Sequence, residues 1–145
     1  MRIFTIGFTK KSAEEFFTLL KKSGAKRVVD VRLKNESQLS GFSKKEDLRF
    51  FLKAICKMDY LHLPELTPTE EIFETYHADI KKGWPRLEKD FLKLLAKRKV
   101  EESVPRKLLD DAVLLCSEPT PEHCHRRLVA EYFAKKWSGV EVVHL

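Results

Sequence analysis

Amides are almost missing from this chain. Asn35 is its only asparagine and Gln38 its only glutamine, while charged residues fill 34% of its 145 positions. Few thermolabile amides beside many charges is a pattern met in proteins selected for heat stability, so a thermophilic source is expected. Cysteine is scarce as well. Cys56, Cys116 and Cys124, an odd number at irregular spacing, argue against a framework of structural disulfides and leave thiol chemistry, metal binding or core packing. No apolar run approaches the roughly 20 residues that span a bilayer. Met1-Arg2-Ile3-Phe4 enters a strand-like segment at once instead of a signal peptide, so a cytoplasmic protein with no membrane partner is expected. Repeats, low-complexity tracts and linkers are lacking too, and residues 1–145 are read as one domain.

What is present is a periodic alternation. Short runs of Val, Ile and Leu alternate with longer segments of helical period, the signature of a parallel sheet covered by helices on both faces. The expected fold class is α/β, a three-layer domain of about five mostly parallel strands. The strands are read at Arg2 to Ile6, Arg27 to Val31, Tyr60 to Leu63, Ala112 to Cys116 and Val140 to Val143. Ser12-x-x-Glu15 opens a first helix with Ala13, Phe16, Phe17 and Leu20 on one stripe, and Gly24 closes it. Ser43-x-x-Glu46 opens a second, with Leu48, Phe51, Leu52, Ile55 and Cys56 on its stripe, where Cys56 reads as a core thiol. The third crossover is read as a helical hairpin broken at Gly83-Trp84-Pro85. Ile72, Phe73, Tyr76 and Ile80 lie on its first arm, and Leu87, Phe91, Leu94 and Leu95 on its second. A last helix starts near Pro121 and turns Leu128, Val129, Tyr132, Phe133 and Trp137 to the sheet.

In open parallel sheets, ligands bind beyond the carboxyl ends of the strands. That rule collects Gly7, Phe8 and Thr9 after the first strand, Asp30 and Arg32 at the second, Glu65 after the third, and Cys116 and Glu118 after the fourth. The densest cluster of reactive groups follows, with Cys124, His125, Arg126 and Arg127 in the first turn of the last helix. A helix N-terminus flanked by His125 and Arg126 favours bound anions and ionised thiols. Packing alone would also account for Cys116 and Cys124. For zinc, His123 joins Cys116, Cys124 and His125 as ligand types, but the spacing is poor and consecutive helix residues diverge by about 100°. A redox disulfide between Cys116 and Cys124 lacks the C-x-x-C spacing.

Asp30 and Arg32 read either as a structural ion pair or as an anion-binding arginine oriented by Asp30 or Glu65; Glu65 could instead cap the turn after it. His62 and His77 read as packed or surface residues. The loop from Leu33 to Phe42 is long enough to cover the site, and Lys10, Lys11, Lys34, Lys44 and Lys45 make that face basic. The 28 lysines and arginines against 22 acids give +6, which suits an anionic partner, although the excess is spread among acids along the helices.

The chain resembles the bacterial and archaeal family catalogued as domain of unknown function 488. The resemblance rests on Thr5-Ile6-Gly7 with Thr9, Val29-Asp30-Val31-Arg32 and Leu63-Pro64-Glu65-Leu66. Above all it rests on Leu114-Leu115-Cys116 followed by Cys124-His125-Arg126. It implies an intracellular α/β domain with a polar cleft, and that Asp30, Arg32, Glu65, Cys116, Cys124, His125 and Arg126 belong together. Phe8 stands where relatives commonly carry histidine, and Leu33-Lys34-Asn35-Glu36 where they carry proline and a basic residue.

Two functions follow. One is a small enzyme acting on a phosphorylated or nucleotide-like anion. Cys116 or Cys124 supplies the thiol, His125 the general acid or base, and Arg32 and Arg126 the clamps, with Gly7, Thr9, Asp30, Glu65 and Glu118 shaping the ligand site. The other is a non-catalytic nucleic-acid-associated module gripping phosphates with Lys10, Lys11, Lys34, Lys44, Lys45 and Arg126. It ranks second because no aromatic platform or recognition helix is recognisable. The residues name no cofactor and no oligomeric state.

Overall fold

Ala112-Val113-Leu114-Leu115-Cys116 contains no polar side chain, as a strand covered on both faces requires, and all five residues are buried. It forms β4 (Ala112–Cys116), the central strand of a five-stranded sheet. The structure, a computed structural model, describes residues 1–36, 41–78 and 80–145, the side chains of 76–78, 80 and 81 excepted. The expectations for Tyr76, His77, Ile80 and the middle of the 33–42 loop fall outside the described residues.

The other strands are β1 (Arg2–Gly7), β2 (Arg27–Asp30), β3 (Asp59–His62) and β5 (Glu141–His144). The order is β3-β2-β4-β1-β5 and every pairing is parallel. Each strand lies within a residue of where alternation placed it. Strand alternation divides the core in two. Ile3, Val29, Leu114 and Cys116 face one side, and Phe4, Ile6, Val28 and Leu115 the other.

The second side is covered by α1 (Ala13–Ser23) and α2 (Lys45–Phe51). Ser12 caps α1 as expected, its hydroxyl accepting the Glu15 N–H at 3.1 Å. Gly24 ends it at φ 72°, a left-handed conformation open to glycine at no steric cost. Phe16, Phe17 and Leu20 are buried, but Ala13 is exposed. Helix α2 departs from expectation at both ends. Ser43 closes a short 3-10 turn, and Lys44 takes the cap position. After Phe51 the chain winds a π-helical turn, Leu52–Cys56. The wider turn rotates the stripe, so Leu48 and Leu52 stay buried while Ile55 is turned out.

The first side carries the longer crossover. Helix α3 (Glu70–Ala78) contacts α4 (Ile80–Arg98), and the expected break at Gly83-Trp84-Pro85 does not occur. Pro85 lies inside α4, near its start, where losing one backbone bond is tolerable because Trp84, Leu87, Phe91 and Leu95 are anchored in the core. Two short helices, α5 (Val100–Ser103) and α6 (Arg106–Leu109), lead into β4. The last helix, α7 (His125–Lys136), begins four residues later than Pro121 suggested. Its cap is Cys124, in extended conformation at φ −133°, ψ 135°. Leu128, Val129, Tyr132 and Phe133 meet the sheet, as their spacing implied. Among the described residues, no helix is long and apolar enough to cross a membrane.

Candidate functional site

Because β4 ends at the middle of the sheet and α7 returns over the same face, Cys116 arrives beneath the start of α7. Its parity with Leu114 puts its sulfur on the α4 and α7 side. Cys116 Sγ lies 3.4 Å from Nδ1 and 3.5 Å from Nε2 of His125. Nε2 is also 2.5 Å from the carbonyl oxygen of Val31, which can only accept, so Nε2 carries the ring proton. Nδ1 is thereby the ring nitrogen left able to accept, while Cys116 Sγ sits nearly equidistant from the two nitrogens. Phe91 packs edge-on against the His125 ring, with centroids 5.6 Å apart.

Cys124 completes the cluster. As the cap of α7 it is not yet helical, so its side chain and that of His125 do not fan apart as consecutive helix residues do. Cys116, Cys124 and His125 each present a ligand-type atom within 4.8 Å of the others, and all three are buried. The neighbours at 124 and 125, expected to diverge too far to chelate one ion readily, thus bring their donor atoms close together. Burial, with the neighbouring Cys116 adding to it, pushes the Cys124 thiol well above its ordinary range, against the opposing pull of His125 and Arg126. The thiolate expected of Cys124 from its helix-start position is therefore disfavoured.

Beside the cluster lies a cavity of about 70 Å³, walled by Pro68, Phe73, Trp84 and Leu87 and reached by Ser117, Glu118 and His123. The Trp84 and His123 rings pack at a 43° tilt with centroids 5.3 Å apart. Phe73 and Leu87 carried only a core signal in the sequence and Trp84 was read as part of a helix break, because helical spacing cannot say which residues border a void. The Val31 carbonyl has no sequence signal at all.

The arginines are built into the protein. Arg32 is 3% exposed, and its Nε and Nη2 donate to the two carboxylate oxygens of Asp30 at 2.9 and 2.8 Å. Tyr60, missed in the sequence reading, donates its hydroxyl to the same carboxylate at 2.5 Å, and the Arg32 guanidinium sits over the Phe8 ring. Burial, with Asp30 beside it, pushes the Tyr60 phenol far above its ordinary range. Phe8 and Tyr60 pack against the α1 and α2 core. The ion pair thus belongs to the opposite face of the sheet from the thiols. His62 is half-buried beside it, a ring nitrogen 3.1 Å from the Arg32 carbonyl.

Arg126 is 1% exposed and reaches across β1 to donate to the Glu118 carbonyl at 2.7 Å; its Nε is buried without a partner. Gly7 lies directly below, where a Cβ would come within 1.7 Å of that carbonyl oxygen. Gly7, Glu118 and Arg126 therefore form one packing unit. Thr9 continues the ladder by donating its backbone N–H to the Ser117 carbonyl at 3.0 Å. Glu65 sits in a 3-10 turn, Pro64–Leu66, with Oε1 buried and unpartnered, and its backbone carbonyl accepts from Arg98. Neither Glu65 nor Thr9 lines the cavity.

The basic face is reduced by the same contacts. Arg126 is buried, Lys11 donates to the Pro119 carbonyl at 3.4 Å, and Lys34 pairs with Glu70 and lies over Phe73. Asn35 ties the start of the expected covering loop to Tyr60 and to the Lys45 backbone.

A parallel α/β sheet with a buried thiol and imidazole cluster at the carboxyl end of its central strand is the class defined here. The chain belongs to the family described as Domain of unknown function DUF488, whose model matches residues 12–133. That span includes Asp30, Arg32, Glu65 and the segment from Cys116 to Arg126, and it begins after the Thr5-Ile6-Gly7 segment. No curated protein and no solved structure matches the chain.

Proposed function

We propose that the protein is a small thiol-dependent enzyme of a reducing, cytoplasmic compartment, with Cys116 as nucleophile and His125 as its base. The observation that carries this reading is the bond from His125 to the Val31 carbonyl. A nucleophile touching a base that a third group orients is the general arrangement of covalent catalysis. Here Nδ1 is the ring atom free to take the Cys116 proton once the thiol turns from its place between the two nitrogens, and the main chain holds the ring. Cys124, whose thiol burial keeps protonated, acts as a neighbour rather than as the attacking group.

The ligand is a small anion or the anionic end of a larger molecule. A cavity of about 70 Å³ is far below the 300 Å³ or more of ordinary cofactor pockets, so a nucleotide does not enter it whole. Attraction for the anion comes from the opening turn of α7 and from the buried charge of Arg126 behind it. Arg32, whose Nε and Nη2 are committed to Asp30, and Arg126, buried within the protein, contribute field rather than direct clamps. Asp30, Glu65, Gly7, Thr9 and Glu118 shape the strand ends around the cluster.

Timed iodoacetamide labelling with peptide mapping tests the reading. Cys116 is expected to label about tenfold faster than Cys124, and His125→Gln to slow Cys116 by about tenfold without changing Cys56. Inorganic phosphate is expected to protect Cys116. Equal, slow labelling of Cys116 and Cys124, indifferent to residue 125, would reject it.

A further inference from the structure

Two sulfurs and one imidazole nitrogen meet in a dry setting, and their spacing has a second chemical meaning. Zinc bonds of about 2.3 Å to sulfur and 2.0–2.1 Å to nitrogen, at tetrahedral angles, place sulfur and nitrogen about 3.6 Å apart. Cys116 Sγ and His125 Nδ1 are separated by 3.4 Å, and all three ligand atoms lie within 4.8 Å of one another. Small side-chain rotations would suffice to enclose an ion.

Three further features fit a metal. Histidine ligands ordinarily donate their other ring N–H to a carbonyl or carboxylate, and His125 already donates Nε2–H to Val31. Cys124 stands at the extended cap of α7, which lets adjacent residues 124 and 125 turn to a common point. The cavity leaves open space on the side of the cluster away from the sheet. Sites with three protein ligands and one open position, two cysteines with one histidine among them, are a recognised zinc arrangement.

We propose that Cys116, Cys124 and His125 bind one thiophilic divalent ion, zinc in particular, with a fourth position facing the cavity. Binding releases the two S–H protons to solvent, while His125 keeps its proton on Nε2 and gives the Nδ1 lone pair to the metal. The two thiolates neutralise the dication, so no net charge is buried. The site does not depend on the nucleophile reading. Metal occupancy draws electron density from both sulfurs and ties up the Nδ1 lone pair, so the loaded form is alkylated far more slowly than the metal-free form.

The test is a cobalt titration of the reduced, chelator-treated full chain. A thiolate-to-cobalt absorption band in the near ultraviolet, saturating at one equivalent and displaced by zinc, is expected. Cys116→Ser and Cys124→Ser should each weaken binding at least about 100-fold, and Cys56→Ser should leave it unchanged. Wild-type protein provides the check that needs no variant to fold: zinc should block alkylation of Cys116 and Cys124 while Cys56 continues to react. No cobalt–thiolate band at millimolar cobalt, or zinc binding that survives loss of both Cys116 and Cys124, overturns the site. That failure would leave the residue-125 dependence of Cys116 labelling in metal-free protein standing. Loss of that dependence would in turn leave the cobalt band standing.

Discussion

The backbone carbonyl of Val31 accepts the Nε2 proton of His125 at 2.5 Å, so a main-chain atom of the segment after β2 decides which ring nitrogen of α7 keeps its proton beside the thiol of β4. Three segments distant in sequence are thus needed to define one tautomer.

That bond separates two substitutions at residue 125. Gln can place a terminal N–H near the Nε2 position and keep Val31 paired, whereas Ala leaves a buried carbonyl without a partner. His125→Ala is expected to cost about 1–3 kcal/mol more stability than His125→Gln. Urea denaturation of the two variants checks this, and equal midpoints would show that Val31 does not need the donor.

The ion pair on the other face makes a larger claim. Asp30 is fully buried and Arg32 nearly so, with two hydrogen bonds between their side chains. Arg32→Met strands a buried carboxylate and is expected to destabilise the fold by about 3–5 kcal/mol. The double variant Asp30→Leu with Arg32→Met should recover part of that loss. No recovery in denaturant midpoint would mean that Tyr60, rather than charge balance, dominates the site.

Gly7 is a position of close approach rather than of backbone freedom. A methyl group there meets the Glu118 carbonyl and then Nη1 of Arg126 at 2.9 Å. Gly7→Ala must displace backbone and is expected to cost about 3 kcal/mol. Calorimetry measures the loss, and a melting temperature unchanged from wild type would contradict the packing unit.

His144 gives a pH dependence of known sign. Its ring lies 2.6 Å from the Thr5 hydroxyl, and burial, with Arg126 next, lowers its pKa below the ordinary 6.5. Folding therefore favours the neutral ring. The stability this contributes is complete above pH 6.5 and is lost as pH falls from there through the folded value, because the unfolded chain takes up the proton first. Denaturant midpoints should drop between about pH 7.5 and pH 5.5 by more in wild type than in His144→Gln. Parallel pH profiles would assign the drop to other groups.

Much of this architecture was legible in residue order. Alternation located all five strands, whereas the face of β4 on which Cys116 lies was set only by the fold. Spacing failed where local winding changed. The π-helical turn at Leu52–Cys56 carried Ile55 outward, and α4 ran through Pro85 because its flanks are anchored in the core. For the site, the Cys116, Cys124 and His125 grouping was visible from short sequence separation. The partners of Asp30 and Arg32 were not legible, since residues at one sheet edge still choose between two faces. Tyr60 as the third member of their network depends on β2–β3 register, where Val28 lies opposite Tyr60, and no local pattern specifies that pairing.

Strand β1 is flanked by β4 and β5 and does not adjoin β2, the next strand in the chain. On the ribosome β1 therefore finds no neighbour until residues 112–116 have been synthesised, and Ile3, Phe4 and Ile6 lack their sheet partners throughout that interval. The step that ends it also carries Cys116 toward the helix bearing His125. Nascent chains arrested before α7 thus lack the imidazole, and the Cys116, Cys124 and His125 grouping comes into being only once α7 has been made.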